Sequence, residues 1–536
     1  MEGVGPLWGH TGSFLTNGHW CKLPSGAAGR RGILRNRRLP LGGEYLKIQA
    51  ERWYAARADG GEETMNRRRA LTLTGAVVAT LFAFGSARPA LAQTLTQHQQ
   101  LAFDIFKELV EINTVSATGD TARAAAAMAA RLRAAGFSGD DVQVFSPAPR
   151  KGNLIGRLRG TGTRKPILLL AHLDVVEALR ADWSFDPFKL IEKDGYYYGR
   201  GTEDDKYMAA TFVTDLIRYK QEGFRPDRDI ILALTADEEI GDRDALGIRW
   251  LINNHRNLID AEFALNEGGN IDLKGGAPIR SSIQTSEKFV QTYQLEATNR
   301  GGHSSVPRTD NAIYQLAAAL TRLGGFRFPV NLNPTTRAYF ERAAELETPQ
   351  TAADIGSVLA SSPDPIALAR ISQNAEYNAQ LRTTCVATRL EGGHADNALP
   401  QTARATVNCR IMPTEKVEDV KATLERALDD DQISLRPINS GLPTPPSALN
   451  KELLSAIEKT AAEFWPSTPV VPVMFPAATD GRYLRNAGIP TYGHSGLAGD
   501  VDDERAHGKD ERIAVKSFHE GGEYLYRLVK RLAGGN

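Results

Sequence analysis

The chain has 536 residues, more than one ordinary hydrophobic core accommodates, so two or more domains are expected. Lysine plus arginine and aspartate plus glutamate number 64 each, so no excess charge indicates a nucleic acid or an anionic membrane as a partner. The three cysteines lack the C-x-x-C spacing of thiolate zinc sites, so any metal is expected to have oxygen and nitrogen ligands. Two of them, Cys385 and Cys409, leave open a disulfide in an oxidising compartment or two buried thiols.

The amino-terminal 92 residues form two segments that precede the regular pattern. Residues 1–64 are rich in glycine and arginine without helical or strand periodicity, which indicates a non-native or disordered extension. Residues 65–92 combine a basic start, an apolar run at 71–85 and a small-residue cleavage site, which is typical of an export signal. We therefore expect translation to start at Met65. The product is expected to be exported, periplasmic or secreted, with no stable membrane anchor after cleavage, because the apolar run is short for a bilayer.

Residues 93–285 alternate helical and buried-strand patterns, which predicts an α/β domain with a central twisted sheet flanked by helices. Short apolar runs at 166–171, 229–235 and 261–265 are typical of buried parallel strands. Metal-ligating side chains follow these runs directly: His172, Asp174, Asp237, Glu238, Glu239 and Glu267. Because ligands bind beyond the carboxyl ends of strands in open α/β sheets, we expect these side chains at one edge of one sheet.

From residue 286 to 440 the pattern changes, which predicts a smaller α+β lid domain inserted into the first domain. Alternation at 289–297, 382–390 and 403–411 is typical of antiparallel strands with one solvated face, and helical patterns occur between them. Residues 327–380 are interpreted as a helical elaboration of this lid. Residues 441–536 return to the first pattern and bring His507 back to the first domain.

The first two motifs, at 171–174 and 199–204, contain residues that can bind divalent cations. His172 and Asp174 are two apart on extended backbone and point to the same side, so Asp174 fits as the carboxylate that orients a metal-bound imidazole. Asp204 lies where a glycine-rich turn meets a helix, from which a carboxylate can bridge two cations. Asp205 has a rival claim, because either of the two aspartates could instead cap the helix.

The adjacent glutamates Glu238 and Glu239 can splay around one site at the end of a strand, so that one binds metal and the other stays free as a general base. Two Zn²⁺ ions balance the charges of three carboxylates, namely Asp204, Glu239 and Glu267, and leave one positive charge for a bridging hydroxide. The sequence therefore predicts a two-metal hydrolase.

Two further motifs join these segments: GGHSSVP at 301–307 in the lid and ATDGRYLR at 478–485 near the end. The ordered set resembles the M20 family of co-catalytic zinc peptidases and amidohydrolases over roughly residues 95–530. The resemblance implies a zinc-exopeptidase-like catalytic domain with two Zn²⁺ per subunit, although another divalent metal stays open. It also implies the ligands: His172 and Glu267 for one zinc, Glu239 and His507 for the other, and Asp204 as the bridge.

The resemblance assigns roles beyond the ligands. Glu238 becomes the general base, and Asp174 becomes the partner that orients the zinc-bound imidazole. From the lid, His303 is implied to polarise the scissile carbonyl or to stabilise its oxyanion. Asn397 and Arg410 are implied to grip a substrate carboxylate.

The implied reaction is hydrolysis of an amide next to a free carboxylate, in a small peptide or an N-acyl amino acid. A carboxypeptidase or dipeptidase is the leading hypothesis, and an aminoacylase-type deacylase is the alternative. Retention of Glu238 and His303 argues against a non-catalytic metal-binding relative, and the motifs lack the extra basic residues of a phosphoesterase. Whether His303 serves its own subunit or a partner's stays open, and with it a homodimer formed through the lid.

The chain departs from the family pattern at Tyr207, which follows Lys206 where the family usually has glycine. A side chain at this place is expected to narrow the pocket or to alter the start of the helix. His394, beside the Asn397 motif, is interpreted as an exposed loop residue, and a structural role is expected for the remaining histidines, namely His10, His19, His98, His255, His494 and His519.

Overall fold

The computed structural model describes residues 95–240 and 246–535, so the expected extension and export signal lie outside the described residues. The helices of the described part are α1 (Gln97–Glu111), α2 (Thr121–Ala134), α3 (Lys206–Glu222), α4 (Ile248–Ile259), α5 (Ala312–Gly325), α6 (Pro334–Leu346), α7 (Pro349–Leu359), α8 (Pro365–Ile371), α9 (Ala375–Leu381), α10 (Val417–Leu428), α11 (Lys451–Phe464), α12 (Gly481–Asn486) and α13 (Val515–Ala533). Among the described residues, no helix has both the length and the hydropathy that crossing a bilayer requires.

A mixed sheet forms the centre of the larger part of the fold. Its strands are β1 (Val142–Ala148), β2 (Lys151–Leu158), β3 (Ile167–His172), β6 (Ile230–Thr235), β7 (Phe263–Asn266), β8 (Ile271–Lys274), β9 (Ala277–Glu287), β16 (Val470–Phe475), β17 (Thr491–Gly493) and β18 (Ala498–Asp500). The order is β1-β2-β6-β3-β7-β17-β9-β8-β18, with β16 paired to β9. Strands β6, β3 and β7 are parallel neighbours and coincide with the three predicted strands, so their carboxyl ends meet at one edge, as predicted.

Helices cover both faces of this sheet. Along β3, Ile167 and Leu169 pack into one hydrophobic cluster with α1, α2, α3, α11 and α13, whereas Leu168 and Leu170 pack into a second cluster with α4 and α12. Because successive side chains of a strand point to opposite faces, burial on both faces requires the continuous apolar run seen in the sequence. The first helix begins with a capping box, in which the Thr96 hydroxyl accepts the N–H of Gln99 and the Gln99 side chain accepts the N–H of Thr96.

A four-stranded antiparallel sheet forms the predicted lid. Its strands, in spatial order, are β12 (Thr384–Gly392), β14 (Thr402–Ile411), β10 (Phe289–Thr298) and β15 (Ile433–Ser440). Helices α5 and α10 pack on one face of it. The expectation of one solvated face is wrong for β12, which is exposed along both faces from residue 386, because it is the edge strand. The domain boundaries at 286 and 440 stay predictions.

Two smaller sheets complete the fold. The pair β11 (Gly302–His303) and β13 (Ala398–Leu399) joins two lid loops, and β4 (Ile191–Lys193), β5 (Tyr196–Tyr198) and β19 (Arg512–Ala514) form a three-stranded sheet. The three-stranded sheet was not predicted. Because β19 pairs with β5, the carboxyl-terminal segment is held beside the turn that precedes α3.

The helical segment at 327–380 lies against the central sheet, and its assignment to the lid domain stays a prediction. Its helices α6 to α9 form a hydrophobic cluster with Val471 and Val473 of β16, and no residue of the lid sheet contributes to that cluster among the described residues. The segment lies within the lid in sequence but extends the core of the central sheet in space. The sequence pattern of these apolar helical faces does not indicate which sheet they cover.

Cys385 and Cys409 form a disulfide that links the lid strands β12 and β14. The two residues are register partners in this antiparallel pair, with Cα atoms 4.1 Å apart. The structure therefore decides between the two interpretations of the sequence in favour of the bonded pair.

Candidate metal centre

Asp204 lies between two histidines at the edge where β3, β6 and β7 end. Its Oδ1 is 2.9 Å from Nε2 of His172, and its Oδ2 is 3.0 Å from Nε2 of His507. His172 is the last residue of β3, whereas His507 comes from the loop before β19. Each oxygen of one carboxylate thus faces a different imidazole, which is the arrangement a ligand shared by two cations needs.

Two glutamates complete the two sides of Asp204. Glu267, directly after β7, has Oε2 3.6 Å from Nε2 of His172, and Glu239, after β6, has Oε2 3.1 Å from Nε2 of His507. All five predicted ligands therefore meet at one place, as two groups that share Asp204. A carboxylate oxygen of Glu238 also lies within 4.8 Å of a possible ligand atom of His172 and of Glu267. The geometry alone therefore does not distinguish Glu238 from the metal ligands.

The donor set fits a pair of divalent cations. Two imidazoles and three carboxylates are oxygen and nitrogen ligands of the kind that Zn²⁺ accepts. In addition, Oε1 of Glu239 is buried and has no hydrogen-bond partner among the described residues, although a buried polar atom normally has one. A cation that Glu239 binds through this oxygen would satisfy it.

The electrostatics of the site reflect its excess of carboxylates. Burial favours a lower pKa for His172, but Glu267, Asp174 and Asp204 raise the pKa well above its ordinary value. Hydrogen bonds to Asp204 and Glu239 raise the pKa of His507 to about 10. Without cations, these shifts favour protonated imidazoles, whose positive charge offsets part of the charge of the carboxylates.

Glu238 carries the opposite perturbation. Burial, together with the neighbouring Glu267, raises the pKa of the Glu238 carboxyl well above its ordinary value. A carboxyl group with a raised pKa is suited to accept a proton near neutral pH, which is what a general base requires. Beside it, burial raises the pKa of the Asp480 carboxyl to about 7, and Asp480 Oδ2 accepts a hydrogen bond of 3.0 Å from Thr235 at the end of β6.

Asp174 orients His172, but through a different atom from the one predicted. Nδ1 of His172 lies 2.9 Å from the main-chain oxygen of Asp174 and 3.6 Å from its carboxylate, which is beyond a hydrogen bond. The carboxylate is occupied elsewhere. It accepts the main-chain N–H groups of Glu238 and Glu239, each at 3.1 Å, and the hydroxyl of Ser116 at 3.1 Å. Its side chain fixes the turn that presents both glutamates.

The choice between Asp204 and Asp205 is answered by their contacts. Asp205 is buried, and its Oδ2 accepts the main-chain N–H of His172 at 3.3 Å. It is the residue before α3, yet its side chain makes no capping hydrogen bond. Asp204 faces the imidazoles, whereas Asp205 holds the backbone that carries one of them.

The predicted lid residues His303 and Asn397 lie on two neighbouring segments of the lid. His303 pairs with Ala398 in the β11–β13 ladder, and the main-chain oxygen of Asn397 accepts the N–H of Ser304 at 3.0 Å. Within the described ranges, no hydrogen bond or ion pair joins His303 or Asn397 to the five ligands. The structure therefore brings the two lid residues together without placing them at the metal ligands.

Arg410 is half-buried on β14 and forms no ion pair within the described part of the chain. Its Nη1 donates a long hydrogen bond of 3.5 Å to the main-chain oxygen of Pro476. Burial lowers the pKa of the Arg410 guanidinium. Pro476 precedes the loop that contains Asp480, so Arg410 lies on the lid beside a loop that reaches the end of β6.

Tyr207 does not narrow the pocket, contrary to the expectation. The ring is fully buried, packs edge-on against Phe518 at 5.9 Å, and its hydroxyl lies against Gly521 of α13. The side chain turns into the core because it is the second residue of α3, on the face that α13 covers. His394 is exposed and His494 is buried between Ser282 and Tyr524, as the structural interpretation predicted.

The supporting roles of several residues around the site could not be predicted from the sequence. Asp237 has a φ of 63° and pairs through its side chain with Lys151, which fixes the start of the Glu238–Glu239 turn. Arg200 and Glu511 form a buried ion pair of 2.6 Å beside Asp204. Asp237 belongs to the predicted acidic motif after β6, but its partner Lys151 on β2 has no recognisable signal in the sequence.

Comparison with known proteins gives one consistent result. The family model described as "Peptidase family M20/M25/M40" matches residues 168–531. The chain is 30% identical to "Probable carboxypeptidase S-like 2" of Dictyostelium discoideum over 68% of this chain and 71% of that protein. It is also 30% identical to "N-fatty-acyl-amino acid synthase/hydrolase PM20D1" of Xenopus tropicalis over 68% of this chain and 72% of that protein.

A solved structure supports the fold. The crystal structure of an M20 family metallo-carboxypeptidase from Sulfolobus solfataricus superimposes with a TM-score of 0.56 at 16% identity, over 81% of this chain and 99% of that chain. At this level of identity the likeness concerns the arrangement of helices and strands alone.

Proposed function

The chain belongs to peptidase family M20/M25/M40, and on that premise we propose that it hydrolyses an amide bond next to a free carboxylate in small peptides or N-acyl amino acids. The enzyme is a metallo-hydrolase that acts on peptide or amide bonds. The observation that carries the proposal is the Asp204 carboxylate, whose two oxygens face His172 and His507 separately. The ligand set supports two Zn²⁺ ions as the cofactor.

Two divalent cations bound there would polarise the scissile carbonyl and lower the pKa of a water molecule. The chain's own residues perform the remaining steps. Asp204 and the two imidazoles fix the distance between the two halves of the site. The Glu238 carboxylate takes a proton from the attacking water and passes it to the leaving amine nitrogen. His303, once brought over the site by the lid, donates a hydrogen bond to the oxyanion.

Arg410 supports specificity for a free carboxylate. It is a half-buried guanidinium without an ion-pair partner among the described residues, on the lid strand β14. An arginine can hold a carboxylate through two parallel N–H bonds, which a lysine cannot. Asn397 is proposed to assist from the neighbouring lid loop. A substrate held at this end and cut at the metal centre is cleaved next to its terminal carboxylate.

The acyl side of the substrate separates the two candidate activities. A carboxypeptidase or dipeptidase would accept an aminoacyl group there, whereas an N-acyl amino acid deacylase would accept a simple or fatty acyl group. The second candidate is favoured by one specific observation, the 30% identity to a relative named an N-fatty-acyl-amino acid synthase/hydrolase. Both candidate activities require a site that binds the free carboxylate of the substrate.

Localisation and assembly are part of the proposal. We propose that the protein is exported, since the export signal at 65–92 is supported by the Cys385–Cys409 disulfide, a bond typical of oxidising compartments. We further propose a homodimer through the lid. It is supported by the outer edge of β12, which pairs with no other strand of the described part of the chain, and by Val386 and Leu390 on this strand, which are 60% and 69% exposed.

A substrate screen tests the activity. The zinc-loaded and the chelated enzyme are incubated with a library of dipeptides, N-acetyl amino acids and N-fatty-acyl amino acids, and the products are measured by mass spectrometry. Zinc-dependent release of a free amino acid is expected. Turnover of p-nitrophenyl phosphate without amide hydrolysis would instead indicate a phosphoesterase, and no turnover of any compound would indicate a non-catalytic relative.

The variant Glu238→Gln tests the mechanism. It keeps the size of the side chain but cannot take a proton, so turnover should fall by about 10²–10⁴-fold, the usual contribution of a general base. Zinc content is measured in the same preparation. Two bound ions with lost turnover support Glu238 as the base. Lost zinc would make it a ligand, which its position near His172 and Glu267 also allows.

A further inference from the structure

We propose that Arg200 and Glu511 act as a positioning pair that holds the loops of Asp204 and His507 together, and thereby sets the affinity for the cation on the His507 side. Neither residue belongs to the predicted ligands or the predicted catalytic groups. The inference rests on the proposed two-metal function and names the residues that make one half of that site stable. Arg200 and Glu511 form a buried ion pair, and the other hydrogen bonds of the two side chains all lead to the loops that carry Asp204 and His507.

The Glu511 carboxylate organises the turn that carries Asp204. Its side chain is fully buried. Its Oε2 accepts the N–H of Gly201 at 3.0 Å, and its Oε1 accepts the N–H groups of Glu203 at 2.8 Å and Asp204 at 3.3 Å. Three main-chain N–H groups of the turn, those of Gly201, Glu203 and Asp204, therefore point at one carboxylate. A charged acceptor makes such bonds about twice as strong as a neutral one.

Arg200 connects the same carboxylate to the loop that carries His507. Its Nη1 donates to Glu511 Oε2 at 2.6 Å, and its Nη2 donates to the main-chain oxygens of His507 at 3.3 Å and Gly508 at 2.9 Å. The guanidinium also lies over the ring of Trp183, with 5.0 Å to its centroid. One rigid, planar group thus fixes both loops at once, which a single ammonium group cannot do with the same geometry.

The backbone of His507 needs this support. Its φ is 62°, in the left-handed region that residues other than glycine seldom adopt, so the conformation is strained and needs bonds that hold it. The two bonds from Arg200 hold the carbonyls of the two peptides that follow His507. Without them the loop can relax to an ordinary conformation, which moves the imidazole away from Asp204.

The two halves of the site differ in how firmly they are built. His172 ends β3 and Glu267 follows β7, so the central sheet itself positions them. Asp204 and His507 lie on loops and depend on the pair. Loss of the pair should therefore weaken the cation between His507 and Glu239 much more than the cation between His172 and Glu267.

The test compares metal binding in Glu511→Gln, Arg200→Lys and the wild type. Each metal-free protein is titrated with Zn²⁺ by calorimetry and with Co²⁺ by visible absorption, which reports the ligands directly. The wild type should bind two ions. Both variants should still bind one ion with near-normal affinity and should bind the second about 10–100-fold more weakly, the usual loss when a group that supports a ligand is removed.

Asp229→Asn is the matched control. Asp229 likewise accepts a guanidinium bond, from Arg157 at 2.6 Å, and a main-chain N–H, from Gly160 at 2.7 Å, but it lies at the opposite end of β6 from Glu239. It should lower thermal stability without changing either affinity. If Glu511→Gln does not fold, Arg200→Lys keeps the charge and carries the test.

The outcomes separate this inference from the proposed function. A wild type that binds fewer than two ions would contradict the proposed two-metal site. A wild type with two ions, and variants that also bind both with unchanged affinity, would overturn the positioning role alone. Equal weakening of both ions in the variants, or the same weakening in Asp229→Asn, would show a general loss of structure and would likewise overturn it.

Discussion

The substitution Asp174→Asn tests whether one buried carboxylate fixes the turn that presents Glu238 and Glu239. The wild-type oxygens accept two main-chain N–H groups and the Ser116 hydroxyl. An asparagine has only one oxygen, so its NH₂ group must face at least one of these donors. The side chain has no exposed surface, so water cannot replace the lost acceptor.

The magnitude follows from these contacts. A hydrogen bond to a charged group contributes about 1.5–3 kcal/mol, and an N–H left without a partner in the interior costs about as much as the bond. The free energy of unfolding of metal-free Asp174→Asn should therefore fall by about 2–3 kcal/mol. Since the released turn carries Glu238 and Glu239, kcat/KM should also fall by about 10–100-fold.

Urea denaturation measures the first effect, and hydrolysis of the best substrate from the screen measures the second. Asp354→Asn serves as the control, because Asp354 is likewise a buried carboxylate that accepts hydrogen bonds, here from Arg370 at 2.6 Å, but it lies in the helical segment on β16. It should lose stability and keep kcat/KM. Wild-type kcat/KM and wild-type stability in Asp174→Asn would refute the role given to this carboxylate.

Four further changes have definite expected outcomes. Arg410→Ala should raise KM for substrates with a free carboxylate far more than for their amides; equal changes would contradict the carboxylate grip. Cys385→Ser with Cys409→Ser opens a bond between residues 24 apart and should lower the free energy of unfolding, measured in urea, by about 3.5 kcal/mol. Tyr207→Ala removes a buried ring and should cost about 4 kcal/mol in the same assay while KM stays unchanged; a lower KM would restore the idea of a narrowed pocket. Burial lowers the pKa of His494 from 6.5 to about 4, so the unfolded chain binds the proton at a higher pH than the folded chain, and stability is lost as pH falls from 6.5 to 4. His494→Asn should remove about 3 kcal/mol of that loss. An unchanged dependence of stability on pH would contradict the lowered pKa of His494.

The edge of the central sheet could be predicted because its signal is local. Each of β3, β6 and β7 is a short apolar run followed directly by a polar residue that can bind metal, and burial on both faces leaves little other choice for such a run. The parallel direction of the three strands then follows from the helical patterns between the runs. His172, Glu239 and Glu267 could therefore be assigned to one place before any distance was known.

Contacts that depend on distant partners could not be predicted in this way. Glu511 meets Arg200 across 311 residues, and in the sequence it is one acidic residue in a polar loop. The partner of His172 Nδ1 is a main-chain oxygen, which no side-chain pattern reveals. Likewise, helices α6 to α9 have apolar faces that fit either sheet, and only the packing of Val471 and Val473 selects the central one.

The same carboxylates that suit two cations make proton release part of metal binding. In the metal-free protein, bonds to Asp204 and Glu239 raise the pKa of His507 to about 10, so its imidazole is protonated at neutral pH. A cation needs the neutral imidazole and must displace that proton, so affinity should rise with pH up to about this value. The two positive charges of the protonated histidines are thereby replaced by the four of two divalent cations, which more than offset the three charges of Asp204, Glu239 and Glu267.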